Sequence, residues 1–364
     1  MKELKTDLKE GTFMVKKAGW ALVGFGGMGG WHYDNMKTME DIIEICGTYD
    51  IKPERNADAE QMGFHAYSSL EELLADPKVD FITIATPNDS HREIAVKAME
   101  AGKHVISEKP VTVSSEDLQA MIDAANRTKK TFSVHQNRRW DEDFQVAKKL
   151  YEENTLGKIF SIESRVHGSR GVPSDWRNKK EFGGGMVLDW GVHMLDQILL
   201  INPTSVVSVY ATVSHVTNDE VDDGFKTIIK FEDGLEAHVE VGTSNFINMP
   251  RWYILGENGS ATIEWDIVSG KIVMVSDWEK RDAVPVVTAA GLTKTMAPRT
   301  EETIHTYPLP RIDLDVRDYY RNFIKAFRGE EEQLVTHAQM MRVMKLMEAI
   351  FKSAETNEVI REII

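Results

Sequence analysis

Three glycines stand in the spacing Gly24-x-Gly26-x-x-Gly29, directly after the apolar run Trp20-Ala21-Leu22-Val23 and directly before a stretch with helical spacing that reaches about Met39. A chain turning this abruptly from a buried strand into a helix needs Gly24 for the tight turn and Gly29 for helix–strand packing. Gly26 leaves room for a pyrophosphate to approach the backbone. The loop Phe25, Gly26, Gly27, Met28 then aims the free N–H groups of a helix N-terminus at that anion. A second apolar run, Ile42 to Tyr49, ends at Asp50, about 20 residues beyond the last glycine. A carboxylate there accepts hydrogen bonds from ribose hydroxyls and repels a 2′-phosphate, which favours NAD over NADP. Lys52 and Arg55 lie close enough to blunt that preference, and a simple turn carboxylate is the competing account.

The alternation continues. A short helix is predicted over Ser69 to Ala75, a strand over Val79 to Ala85, a helix from a cap at Asp89 to Gly102, and a strand over His104 to Ser107. A helix from about Ser115 to Thr128, capped by Ser114, and a strand over Thr131 to His135 follow. Five strands alternating with helices require a mostly parallel sheet with right-handed crossovers. Beyond about Leu156 the pattern changes. Strands are predicted over Phe160 to Val166, Val206 to Val216, Phe225 to Phe231, Leu235 to Val241, Trp252 to Leu255 and Ala261 to Ile267. Asp233-Gly234 and Asn258-Gly259 mark hairpin turns, so this sheet is expected to be antiparallel. Helices are predicted over Gly185 to Leu200, Asp313 to Phe327 and Thr336 to Ala354. The methionines of the last, Met340, Met341, Met344 and Met347, read as packing surface.

Composition narrows the class. Lys and Arg number 43 against 58 Asp and Glu, a net charge of −15, which repels a phosphate backbone and argues against nucleic acid as a partner. The only cysteine, Cys46, excludes an internal disulfide and a thiolate metal site, and it points to a reducing compartment. With no apolar run near the ~20 residues that cross a bilayer, the expectation is a cytoplasmic protein with no membrane partner. Residues 1–18 read as a charged extension, 19–140 as a dinucleotide-binding domain and 141–364 as a second α/β domain whose terminal helices are free to pack on the first.

Two further segments carry chemistry. Glu108-Lys109-Pro110 follows a sheet strand, placing an ammonium where ligands of open α/β sheets bind, although for a lysine taken alone a surface salt bridge is the simpler account. In Gly183-Gly184-Gly185-x-x-x-Asp189-x-Gly191-x-His193-x-x-Asp196, helical spacing puts Asp189, His193 and Asp196 on one face. That face suits orienting the imidazole or binding substrate hydroxyls, although a capped helix with a satisfied core histidine is ordinarily the simpler account. A metal held by Asp189 and His193 lacks a third donor, so no metal site is assigned.

Taken together, the glycine loop, Asp50, Thr86-Pro87-Asn88 with His91, Glu108-Lys109-Pro110, Asn137-Arg138-Arg139-Trp140 and Gly183 to Asp196 resemble the glucose–fructose oxidoreductase/inositol dehydrogenase/rhizopine catabolism (Gfo/Idh/MocA) family in order and spacing. The resemblance implies a Rossmann domain followed by an α/β domain with an open, predominantly antiparallel sheet that commonly serves in oligomerisation, so a homo-oligomer is expected. It implies oxidation or reduction of a sugar, glycoside or inositol hydroxyl carbon with NAD. Lys109, Asp189 and His193 match the family's active-site lysine, aspartate and histidine. Thr86, Pro87, Asn88, His91 and Glu108 are expected around the cofactor, with Asn88 and Glu108 at the nicotinamide ribose. Arg138, Arg139, Trp140, Trp176 and Arg177 are expected around a small neutral carbohydrate, with Trp190 nearby. Rival functions within the resemblance are a redox-neutral enzyme that retains NAD(H) and a non-catalytic sugar sensor.

Overall fold

Strand β1 (Ala18–Val23) is buried at all six positions, as expected of a strand covered on both faces. It enters α1 (Gly27–Met36), and the chain continues through β2 (Ile43–Tyr49), α2 (Pro53–Gln61), α3 (Leu70–Ala75), β3 (Phe81–Ile84), α4 (His91–Glu100), β4 (His104–Ser107), α5 (Ser115–Thr128) and β5 (Phe132–Val134). In the computed structural model, which describes residues 16–266, 269–280, 285–293, 298–361 and 363–364, these strands form one sheet in the order β2-β1-β3-β4-β5. All its pairings are parallel. Because β2 and β3 flank β1, the chain leaves β1 and β3 in opposite directions, and a crevice opens at their carboxyl ends. This is a Rossmann-like sheet.

After α6 (Glu142–Glu152) come β6 (Ile159–His167), α7 (Val192–Ile201), β7 (Val206–Ser214), β8 (Gly224–Phe231), β9 (Glu236–Gly242), β10 (Trp252–Gly256), β11 (Gly259–Ile263), β12 (Lys271–Val275), β13 (Val286–Thr288), β14 (Gly291–Thr293) and β15 (Ile304–Pro308). Helices α8 (Asp318–Phe327) and α9 (His337–Thr356) close the chain. The second sheet is open, ordered β15-β12-β11-β10-β6-β9-β8-β7, and antiparallel except where β6 meets β9. Burial alternates along β8 and β9, the pattern of a sheet with one packed and one solvated face. Helix α8 lies against the first sheet, where Phe323 meets Phe81 at 5.6 Å and Phe327 stacks on His104 at 4.5 Å. Met340, Met344 and Met347 of α9 are buried.

Several local expectations change. Residues 1–15 of the predicted extension, and Ile267 at the end of the strand predicted from Ala261, lie outside the described residues. Asp89 caps nothing: Asn88–Ser90 form a single 3₁₀ turn and α4 starts after it without a side-chain cap. Gly234 turns the β8–β9 hairpin with φ +92°. The β10–β11 turn is instead Glu257-Asn258, since Gly256 pairs with Gly259 inside the ladder. The helix predicted from Gly185 is broken in kind. Val187–Gly191 forms a wide π-type turn before α7 begins, which rotates Asp189 relative to the residues that follow it.

Candidate active site

The glycine loop divides its labour as its spacing requires. Gly24 has φ +95°, and a Cβ there would sit 2.7 Å from the Ala85 carbonyl oxygen. At Gly29 a Cβ would sit 2.2 Å from the Gly24 carbonyl oxygen, so no side chain fits between α1 and β1. At Gly26 and Gly27, by contrast, a Cβ would meet no atom within 4 Å. The start of α1 is also uncapped by any side chain, which leaves its first amides open to an anion. Asp50 stands beside this loop, its Oδ2 accepting the Phe25 amide at 2.8 Å and its Oδ1 the Lys52 amide at 2.8 Å. Asn56 clamps the Asp50 backbone from both sides. The donor-rich helix start and the pinned carboxylate fit the pyrophosphate and adenosine ribose of a dinucleotide.

At the carboxyl end of β3, Pro87 is exposed and the Thr86 hydroxyl pairs with that of Ser90 at 2.7 Å. Asn88 is buried and donates from Nδ2 to the carbonyls of Phe182 and Gly183, each at 3.2 Å. It thereby joins the first sheet to the triple-glycine segment. The other two expected residues are engaged within the protein. His91 is wholly buried with its ring nitrogens facing the carbonyls of Thr86 (2.8 Å) and Val111 (3.2 Å), so it braces the loop and offers no polar atom to a ligand. The Glu108 carboxylate is spent within the protein, Oε1 on His32 and His135 and Oε2 on the Lys109 amide.

Lys109 reaches across to the segment between β6 and α7. Its Nζ donates to Asp189 Oδ1 at 2.9 Å and to the Asp189 carbonyl at 2.9 Å, leaving one of the three ammonium N–H groups for a ligand. Asp189 Oδ2 accepts Arg177 Nε at 3.0 Å. Burial opposes ionisation of Asp189, but the Lys109 and Arg177 charges outweigh it and hold the carboxyl below its ordinary value. His193 is 4% exposed, and its Nδ1 is buried without a hydrogen-bond partner. Desolvation, reinforced by Lys109 and Arg138, holds its imidazole well below the usual range. The ring is therefore neutral at neutral pH, its centroid 6.1 Å from that of the Trp190 ring in an edge-on arrangement.

The three adjacent glycines of this segment each make room for something different. A Cβ at Gly183 would press on Val113 and Asn88, one at Gly184 on the Arg177 carbonyl, and one at Gly185 on the Asp222 carboxylate at 2.2 Å. Asp222 Oδ2 accepts the amides of Met186 (2.8 Å) and Val187 (2.9 Å), anchoring the turn that presents Asp189. Sequence reading missed Asp222, which lies in a polar run with no motif around it.

Of the residues expected around the substrate, Arg138 lies over Trp190 at 4.3 Å and pairs with Asp141 at 2.9 Å. Arg177 lies over Trp176 at 4.5 Å and also pairs with Asp175 at 2.9 Å. Trp140 is half-buried and packs edge-on against Tyr319. Arg139 and Asp196 are corrected. They form a buried two-pronged pair at 2.6 and 2.8 Å, and Arg139 also bonds the Leu334 carbonyl and Gln339. The pair locks α7 to the start of α9 and does not join Asp189 and His193.

A glycine loop at the switch point of a parallel sheet, faced by a lysine–aspartate pair, defines a nicotinamide-dependent oxidoreductase. The chain belongs to the Gfo/Idh/MocA oxidoreductase family. The family's NAD-binding Rossmann fold matches residues 18–136, and its C-terminal domain matches residues 144–262. The crystal structure of an NAD-binding protein from Listeria innocua is 48% identical, with a TM-score of 0.91 over 96% of this chain and 100% of that one. Scyllo-inositol 2-dehydrogenase (NADP(+)) IolW of Bacillus subtilis is 28% identical over 80% of this chain and 81% of its own length. Levoglucosan dehydrogenase of Pseudarthrobacter phenanthrenivorans is 29% identical over 71% of each. Among the described residues no helix is long and apolar enough to cross a membrane.

Proposed function

We propose that the protein is an NAD-dependent dehydrogenase of a neutral sugar, glycoside or inositol, oxidising a ring carbon that bears a hydroxyl. The observation that carries this reading is the Lys109–Asp189 contact beside neutral His193, at the crevice where the glycine loop and Asn88 would hold NAD. When bound, NAD supplies the hydride acceptor. Lys109 directs its remaining N–H at the reacting oxygen and stabilises the negative charge that develops there. His193, neutral at working pH, takes the hydroxyl proton. A protonated ring beside Lys109 and Arg138 is disfavoured, so the proton is released to bulk water, completing conversion of the hydroxyl carbon and NAD to a carbonyl, NADH and one proton. Asp189 fixes the ammonium and, with Arg177, offers hydrogen bonds to further hydroxyls.

Charge balance supports a neutral substrate. Lys109, Arg138 and Arg177 are each paired with a carboxylate, Asp189, Asp141 and Asp175, so none of these three described cations is held apart for an acidic or phosphorylated sugar. Trp176 and Trp190 supply aromatic surface that suits the apolar face of a ring. The names of the inositol and levoglucosan dehydrogenases support the class, and we rank the 3-hydroxyl of a glucoside beside inositol and free glucose. Incubation with NAD and each of myo-inositol, glucose and an aryl glucoside should yield a product two hydrogens lighter from at least one. Loss of two hydrogens from none of them would contradict the reading.

A further inference from the structure

Just beyond β11 a tryptophan stands partly outside the core. Ala261 and Ile263 are fully buried, on the packed face of that strand, and Trp265 follows one strand period later at 46% exposed. Its contacts keep it on the packed side. The Trp190 ring lies 6.2 Å away at an interplanar angle of 87°, and the Arg251 guanidinium lies over the Trp265 ring at 5.8 Å. Arg251 is buried and already engaged by Asp143 at 3.2 Å and by Ser164 and Gln197, so it backs the indole as a fixed wall.

Trp190 joins this indole to the site. Its ring lies 6.1 Å from that of His193, Arg138 covers it at 4.3 Å, and it packs on the core. The two indoles therefore meet in a right-angled corner, displaced from His193 by one ring. Arg138 and its partner Asp141 stand beside the corner with about a third of each side chain exposed, offering hydroxyls there both a donor and an acceptor. A tryptophan exposed singly on a surface would mean little, but this one continues the aromatic lining of the site. A single sugar or inositol ring at Lys109 and His193 lies against Trp190 and stops there. A ring attached to it would reach Trp265.

We infer that Trp190 and Trp265 form a second subsite that stacks a ring attached to the sugar being oxidised, so that the substrate is a glycoside with a cyclic aglycone. The chemistry recognised is the flat apolar face of a ring, which an aromatic group and a second sugar share. The kinetic consequence rests on the proposed dehydrogenase reading, and the binding does not.

Calorimetry of the full-length protein with NADH bound tests the subsite without turnover, using methyl glucoside, phenyl glucoside and a glucose disaccharide, each as both anomers. Phenyl glucoside or the disaccharide should bind about tenfold more tightly than methyl glucoside, and the tighter of the two identifies the source of the ring. Trp265→Ala should remove that advantage while leaving methyl glucoside within about twofold. Trp265→Phe should retain most of it, a rescue that a purely structural role would not give. No advantage for either ringed glycoside, or an advantage that survives in Trp265→Ala, would overturn the subsite. In turnover, Trp265→Ala should raise KM for the ringed glycoside about tenfold with kcat within about twofold, because stacking serves ground state and transition state alike. A loss shared equally by methyl glucoside would also overturn it. If the parent protein oxidises none of these sugars yet binds the ringed glycoside through Trp265, the dehydrogenase reading fails and the subsite stands. If it oxidises inositol or glucose and favours no ringed glycoside, the subsite fails and the dehydrogenase reading stands.

Discussion

Lys109 meets Asp189 twice, through the carboxylate oxygen and through the backbone carbonyl, each at 2.9 Å. The two residues come from different sheets' connections and are 80 positions apart. The double contact fixes the ammonium in direction as well as in charge. Lys109→Met keeps the bulk and removes the charge, leaving Arg177 as the partner of Asp189. Turnover should fall by about 10²-fold or more. NADH affinity, read by nicotinamide fluorescence, should stay within a few-fold, and loss of binding parallel to loss of turnover would mean that Lys109 serves the cofactor.

His193 gives a pH signature. Its folded pKa is depressed by burial first and by Lys109 and Arg138 second, so the neutral, proton-accepting form persists below the ordinary histidine range. The acidic limb of the kcat/KM profile should therefore lie below the usual value near 6.5. His193→Gln should flatten that limb while lowering the plateau by about 10²-fold. A wild-type limb at or above 6.5 would assign the titration to another group.

Asp222 links pH to stability. Burial pushes its carboxyl up to about 6 despite the two amides it accepts. A folded pKa above the unfolded one means its stabilising contribution is full below about pH 4 and is lost as pH rises through about 6. Asp222→Asn retains an acceptor for Met186 and Val187 without the buried charge. Its stability relative to the parent should improve by up to about 3 kcal/mol between pH ~4 and ~7 and level off above. Denaturant melts across that range measure this, and a pH-independent difference would disprove the shift.

Two glycines separate folding from binding. Gly185→Ala places a Cβ 2.2 Å from the Asp222 carboxylate at φ +103°, and should cost about 3 kcal/mol or more. Gly26→Ala meets no protein atom within 4 Å, so its melting temperature should barely move. Its affinity for NADH should fall at least tenfold, since the added methyl occupies the pyrophosphate's approach. Equal effects on stability from the two substitutions would contradict the division of roles.

What the sequence disclosed was local. The glycine loop, Asp50, the alternation of strands with helices and the Asp233-Gly234 hairpin are read within a few dozen residues of one another, and their spacing alone carries the meaning. Asp189, His193 and Asp196 were aligned on one face by assuming an ordinary helix, but the π-type turn at Val187–Gly191 shifts Asp189 relative to α7, and Asp196 is taken up by Arg139. His91 carried a motif position, yet its carbonyl partners lie at Thr86 and Val111, and no periodicity announces them. The hydrogen bonds around Glu108 unite residues as far apart as His32 and Tyr320, 288 positions distant, which only the docking of α8 on the first sheet brings together. Strands β13 and β14 escaped because they are three residues long and exposed nearly throughout, with no buried face to impose alternation.

The most direct measurement follows deuterium. Carbon-deuterated inositol, glucose and aryl glucoside are each incubated with the protein and NAD, and the reduced cofactor is weighed by mass spectrometry. For at least one substrate the wild-type protein should deliver one deuterium to the nicotinamide, and Lys109→Met should deliver it about 10²-fold more slowly. No label from any of the three, or equal labelling by the variant, would contradict hydride transfer at the Lys109–Asp189 site.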